Sequence, residues 1–244
     1  MMVIDITLAA LVVVAATSLG AAMVLGLKCM TDYVCSVMLA FCGGVMAFSL
    51  LEMFLQARRS AGDYVSITGL MAGALFLLLV DKMLPHLHAI VRKQELAAAE
   101  KRAALLAGAI ALHNVPEGCA IASAFAGSAK LGWLVTATIA LQDIPEGVIV
   151  SVPLACYGLS KRLAISYGVF SGLVEAAAAV AGFLALNAVT MVVPAALSFS
   201  AGAMLYVVLV EMMPEAVKEE QRGAGVVFLL TGFAAAFVLS VWLP

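Results

Sequence analysis

Leu112-His113-Asn114-Val115-Pro116-Glu117-Gly118 and Leu141-Gln142-Asp143-Ile144-Pro145-Glu146-Gly147 repeat one pattern, 29 residues apart, in otherwise apolar sequence. Each copy places a carboxylate, a second polar donor and a proline where a charge is hard to accommodate. Imidazole, carboxylate and side-chain amide are all metal-ligand types, so the two copies define the chemistry to be explained.

The surroundings are set by composition: 65% of residues are hydrophobic and 11% charged, with a mean hydropathy of +1.13. Ordinary soluble domains carry about 25% charged residues. A buried helix of a soluble protein explains one such segment, not most of 244 residues, so the chain reads as an all-α polytopic membrane protein. The 29-residue repeat is too short and too isolated for a solenoid. A formal net charge of −2 says nothing about partners, and no stretch of the chain resembles a nucleic-acid-binding patch.

Runs of low polarity predict eight helices, at about 4–27, 33–56, 64–84, 103–126, 131–156, 163–187, 193–214 and 224–243. The first stretch has Asp5 near its start and no basic leader, so it is expected to be retained as helix one rather than cleaved. Lys28, Lys82, Arg92, Lys93, Lys101, Arg102, Lys161, Arg162, Lys218 and Arg222 fall in loops of one parity; Arg58, Arg59 and Lys130 fall in the other. Ten against three places the first set in the cytoplasm and both termini outside. The longest loop, about 85–102, is then cytoplasmic, and its Ala-, Glu- and Lys-rich stretch from Gln94 to Arg102 suits a solvated extension of helix four. The whole of 1–244 reads as one transmembrane domain.

Within the spans lie the acids Glu117, Asp143, Glu146, Glu175 and Glu211 and the imidazole of His113, with no Lys or Arg at the same depth. A buried carboxylate must be paired, protonated or bound to a cation, because ionisation in low dielectric is costly. Without basic partners, protons or metal ions remain, and intramembrane acids mark an ion pathway. The competing reading protonates all five and hydrogen-bonds them to neighbours.

Spacing brings these groups together. His113 and Glu117 are four residues apart, as are Gln142 and Glu146, and Asp143 and Glu146 are three apart, so each motif presents one polar stripe. Both stripes fall near mid-bilayer at about 1.5 Å per residue. Pro116 and Pro145 lack an N–H and free the carbonyls of Leu112 and Leu141, a backbone irregularity tolerated where it lines a cavity. Gly118 and Gly147 are read as close-packing positions between helices.

These motifs, the Asp81-Lys82-Met83-Leu84-Pro85-His86-Leu87-His88 run and the eight-span pattern resemble the ZIP family of divalent-metal transporters, in particular its bacterial GufA-like branch. The resemblance implies eight helices in a 3+2+3 inverted-repeat bundle with a binuclear metal site between helices four and five. Carried over by position, it implies His113, Glu117, Gln142 and Glu146 around one ion. Asn114, Glu117, Asp143, Glu146 and Glu175 then surround a second, with Glu117 and Glu146 bridging. Many members of the family have His-Asn where this chain has Gln142-Asp143. The exchange makes the site richer in oxygen and more permissive toward iron, manganese or cadmium beside zinc.

Weaker candidates lie along the route. Glu211 and Glu215 share a face around Pro214, read either as holding metal on its way out or as an interfacial acidic pair. His86 and His88 follow Pro85 at the end of helix three, where imidazoles can receive a released ion. Met46, like Met53, Met204, Met212 and Met213, offers a thioether, although packing is the ordinary use of methionine in such helices. Cys29, Cys35, Cys42, Cys119 and Cys156 contain no C-x-x-C pair and read mainly as small apolar filler, with no disulfide framework.

The resemblance implies one transporter domain over 1–244 in a bacterial inner membrane, importing divalent transition metal into the cytoplasm, zinc first and cadmium, iron or manganese also, by alternating access. Its ions are bound as substrate, two at a time, with no cofactor and no catalytic residues. Expected partners are those ions and the lipid bilayer, with a homodimer left open and nucleic acid excluded. The alternatives are an intramembrane zinc hydrolase and a proton-coupled solute carrier. A hydrolase is disfavoured by a single intramembrane His and the lack of H-E-x-x-H.

Overall fold

A backbone that crosses lipid must satisfy its own hydrogen bonds, and every regular element among the described residues is helical. The computed structural model describes residues 2–27, 29–92, 98–217 and 222–242, and side-chain surroundings for all of these except 83–92, 98–112 and 215–216. In chain order the α-helices are α1 (Met2–Ala22), α2 (Asp32–Arg92), α3 (Ala98–Gly127), α4 (Ala129–Cys156), α5 (Lys161–Asn187), α6 (Val193–Val207), α7 (Met213–Ala216) and α8 (Arg222–Trp242). Among the described residues, six stretches are long and apolar enough to cross a membrane.

Two local features shape this order. Within α2, Gly62 has φ +80° and ψ 178°, a conformation that breaks the helix and that a residue with a Cβ strongly disfavours. Two arms result, and Arg58 pairs with Asp63 across the break. Between α6 and α7, residues Val208–Met212 form a π-helical turn. Pro214 follows at once and cannot donate to the carbonyl of Val210, so the hydrogen-bond ladder is already interrupted there.

The hairpin of α3 and α4 positions the two motifs. Its turn is one residue long: Ser128 is extended, and its side chain accepts a hydrogen bond from the Leu131 N–H at the start of α4. Phe125 stacks edge-to-face on Trp133 at 5.5 Å, and Gly132 lies under the Phe125 ring, where a Cβ would meet ring carbon at 2.3 Å. Counting from Ser128, Glu117 is 11 residues back and Gln142 is 14 forward. At 1.5 Å per residue they sit about 17 and 21 Å from the turn, at similar depth.

The helices pack as two groups. α1 lies against α4 and α5, and α3 against α5 and α4; α2 lies against α6 and α8. The groups meet where α2 touches α4 and α3 touches α6. That junction is filled by Met46, Met53, Ile121, Phe125, Ile139, Phe183, Leu197 and Met204, all buried.

Several expectations are corrected. The loop expected at 85–102 is helical over 85–92, where α2 continues; over 98–102 it is the helical extension that its Ala-, Glu- and Lys-rich composition suggested, and 93–97 lie outside the described residues. The loop expected near 57–63 shrinks to the break at Gly62. Cys29 and Cys156 are not filler but a disulfide with Cα atoms 5.6 Å apart. Spacing hid the pair because the partners are 127 residues apart and meet only once α1 lies along α4.

Candidate metal centre

Three adjacent helices build the centre. From α3, Glu117 points into the protein and is 1% exposed, and Asn114 is fully buried. From α4, Gln142 is fully buried and Asp143 is 1% exposed. From α5, Glu175 is fully buried. One carboxylate oxygen each from Glu117, Asp143 and Glu146 lies within 4.8 Å of the others, the spacing of donors around a single cation. Glu175 stands within electrostatic reach of these acids.

Close helix contact makes this possible. A Cβ on Gly118 would meet the carbonyl oxygen of Glu175 at 2.3 Å, so only glycine lets α3 approach α5 beside Glu117. On the far side of α4, a Cβ on Gly147 would meet the carbonyl oxygen of Thr17 at 2.3 Å, and one on Gly20 that of Ile144 at 2.0 Å. α1 thus backs the second motif at backbone distance.

The donor set is short of protons to share. The side-chain amide of Gln142 donates to Oε1 of Glu117, while Oε2 of Glu117, both oxygens of Asp143 and both of Glu175 have no hydrogen-bond partner. Among the described residues Arg58 pairs with Asp63 and His113 with Glu211, and neither pair includes Glu117, Asp143 or Glu175. Buried oxygens without donors are costly. A divalent cation compensates several at once.

His113 has a partner that the sequence reading did not pair it with. Its Nε2 contacts Oε2 of Glu211 on the π-helical turn, and the two side chains are 22% and 35% exposed, so this end of the cluster is the open one. One turn away, the Tyr206 hydroxyl donates to Asp81 at 2.8 Å, a polar contact between α6 and α2 that the sequence did not single out. The opposite end is closed by buried Ser49, whose hydroxyl donates to Thr138 at 2.7 Å. Met46 is buried in the packed core. The side chains of His86, His88 and Glu215 lie outside the described residues.

Comparison with known proteins agrees with the geometry. The profile of the family described as ZIP Zinc transporter matches residues 88–240. Zinc transporter GufA of Myxococcus xanthus is 33% identical over 206 residues, 81% of each chain. Zinc transporter ZIPB of Bordetella bronchiseptica is 36% identical over 237 residues, 92% of this chain and 77% of its own length. A longer relative from Arabidopsis thaliana is 31% identical over 178 residues, of which this chain spans only 29%. An acidic cluster buried between helices, in apolar sequence that matches this profile over more than half its length, leads to one conclusion: the chain belongs to the ZIP zinc transporter family.

Proposed function

We propose that the protein imports divalent transition-metal ions, zinc foremost, across a bacterial inner membrane into the cytoplasm. The observation that carries the reading is the buried cluster of Glu117, Asp143 and Glu146, with Glu175 beside it and the Oε2 of Glu117 and both oxygens of Asp143 and of Glu175 without a hydrogen-bond partner. Such a site is stable only with cations or protons in it. Relatives named zinc transporters support zinc as the leading substrate.

In this reading the crossing helices number eight. The stretch from Asp32 to Lys82 is 51 residues long and broken at Gly62, enough for two spans, and α3 carries the first motif as a further one. The termini lie outside and the loops after α1 and α4 inside, in the 3+2+3 arrangement that the resemblance implies. His113, Glu117, Gln142 and Glu146 hold one ion; Asn114, Glu117, Asp143, Glu146 and Glu175 hold the second. Cadmium, iron and manganese use the same oxygen-rich set.

Each residue then has a definite task. The carboxylates replace the hydration shell as the ion enters, and the Gln142 amide, which donates to Glu117, orients that carboxylate. His113 and Glu211 form the way out, on the partly exposed side. Because the oxygen donors sit on α3, α4 and α5, while Glu211 and Met46 belong to the group of α2 and α6, displacement of one group against the other changes which side the site faces.

The decisive experiment is radiozinc uptake by proteoliposomes. Glu117→Ala is expected to abolish uptake while the protein still inserts in the membrane. Normal uptake in that variant removes the assignment.

A further inference from the structure

Cys42 lies on α2, not on any motif helix, yet its thiol meets α4 at the second motif. Its Sγ is 3.6 Å from the backbone carbonyl oxygen of Gln142, to which it donates, and the residue is 1% exposed. The carboxylates of Glu146, Glu117 and Asp143 are all within its electrostatic reach. Met46, one helical turn further and therefore on the same face of α2, is also 1% exposed. Ser49, a further turn along, contacts Thr138 of α4. This stripe of α2 therefore runs antiparallel along α4, Cys42 beside Gln142 and Ser49 beside Thr138.

The two walls differ in chemistry. α3, α4 and α5 supply amide and carboxylate oxygens, several of them buried and unpartnered. α2 supplies the Cys42 sulfur beside Gln142. Oxygen donors alone suit manganese and other hard ions, whereas thiol and thioether sulfur favour zinc, cadmium and monovalent copper. The remaining cysteines are placed elsewhere: Cys29 and Cys156 are joined to each other, and Cys35 and Cys119 are half-buried.

Building on the import reading above, we propose that Cys42 is a specificity-determining residue of the metal route. Its sulfur adds a soft donor to an oxygen-rich site and shifts the preference toward cadmium and zinc over manganese. This offsets the permissiveness that Gln142 and Asp143 introduce. A purely structural role is also served by a buried thiol that donates to a helix carbonyl, and the two roles separate on substitution, because serine keeps the donor and loses the sulfur.

The test compares the full-length protein with Cys42→Ser and Cys42→Ala in proteoliposomes loaded with a metal-sensing dye. Cadmium, zinc and manganese are offered singly and in competition. In both variants the cadmium-to-manganese preference is expected to fall on the order of tenfold, with zinc still transported. In detergent, cadmium is expected to give an ultraviolet sulfur-to-metal charge-transfer band in the native protein that both variants lose. An unchanged preference and band in both overturns the proposal, as does a serine variant that behaves like the native protein while the alanine variant does not. If the native protein moves none of the three ions, the import reading itself fails. That outcome is distinct from native transport with unaltered selectivity.

Discussion

Nε2 of His113 and Oε2 of Glu211 are in direct contact, joining the first motif on α3 to the π-helical turn that precedes Pro214. The two residues are 98 positions apart. Their contact bridges the two helix groups at the open end of the acidic cluster. In the import reading, an ion leaving the centre has to part this pair, so the imidazole and the carboxylate act as a gate that metal can ligate from within.

Removing one member of the gate should slow release without emptying the centre. Glu211→Gln is expected to reduce maximal zinc uptake about tenfold, with a smaller change in half-saturating concentration. Initial-rate radiozinc uptake over a concentration series checks this. A change confined to half-saturation would place Glu211 in ion capture instead.

Glu175 is fully buried and its oxygens have no hydrogen-bond partner. Glu175→Gln keeps the shape and removes one charge, so in the two-ion reading proposed above the second ion should bind on the order of tenfold more weakly while the first is retained. Isothermal titration with cadmium, backed by elemental analysis, should fall from two ions per chain toward one. Unaltered stoichiometry and affinity would make Glu175 a structural acid.

The α3–α5 approach at Gly118 leaves no room for a side chain. Gly118→Ala places a methyl 2.3 Å from the carbonyl oxygen of Glu175, and overpacking of this kind costs about 1–3 kcal/mol. A lower melting temperature in detergent and weaker uptake are expected together, because the displaced backbone carries Glu175. Gly26→Ala is the control: a Cβ there meets nothing within 4 Å, so its melting temperature should stay within error of the native protein.

The Cys29–Cys156 bond ties the loop after α1 to the end of α4, the same helix pair that meets at Gly20 and Gly147. Disulfides that close long loops typically contribute about 2–4 kcal/mol. The import reading places both cysteines on the reducing cytoplasmic side, so the expectation applies to protein purified under oxidising conditions: Cys29→Ser lowers the melting temperature by several degrees, and a maleimide-polymer gel shift labels Cys156 in that variant but, in the native protein, only after reduction. Equal labelling before and after reduction would mean that the bond does not form.

The membrane class, the helical elements and the identity of the motif residues were legible in the chain because each is a local or periodic property. Apolar run length reports crossing segments, and three- and four-residue spacing puts His113 with Glu117 and Gln142 with Glu146 on single faces. Even the α3–α4 hairpin could be anticipated from the short interval between the two repeats. What spacing could not supply was the partner of each group. Glu211 stood beside Pro214 as an ambiguous acid, and the π-turn that aims it at His113 arises from the ladder Pro214 interrupts.

Sequence alone therefore determined the solvent this protein lives in and the carboxylates it must compensate, since burying charge in lipid has a cost that composition reveals. Tertiary structure alone decided which oxygens converge, that glycine contacts at Gly118 and Gly147 bring α5 and α1 to backbone distance from the motif helices, that Cys29 finds Cys156, and that Cys42 of α2 faces Gln142. These are contacts between residues far apart in the chain. They depend on how helices lie against one another, which no local pattern encodes.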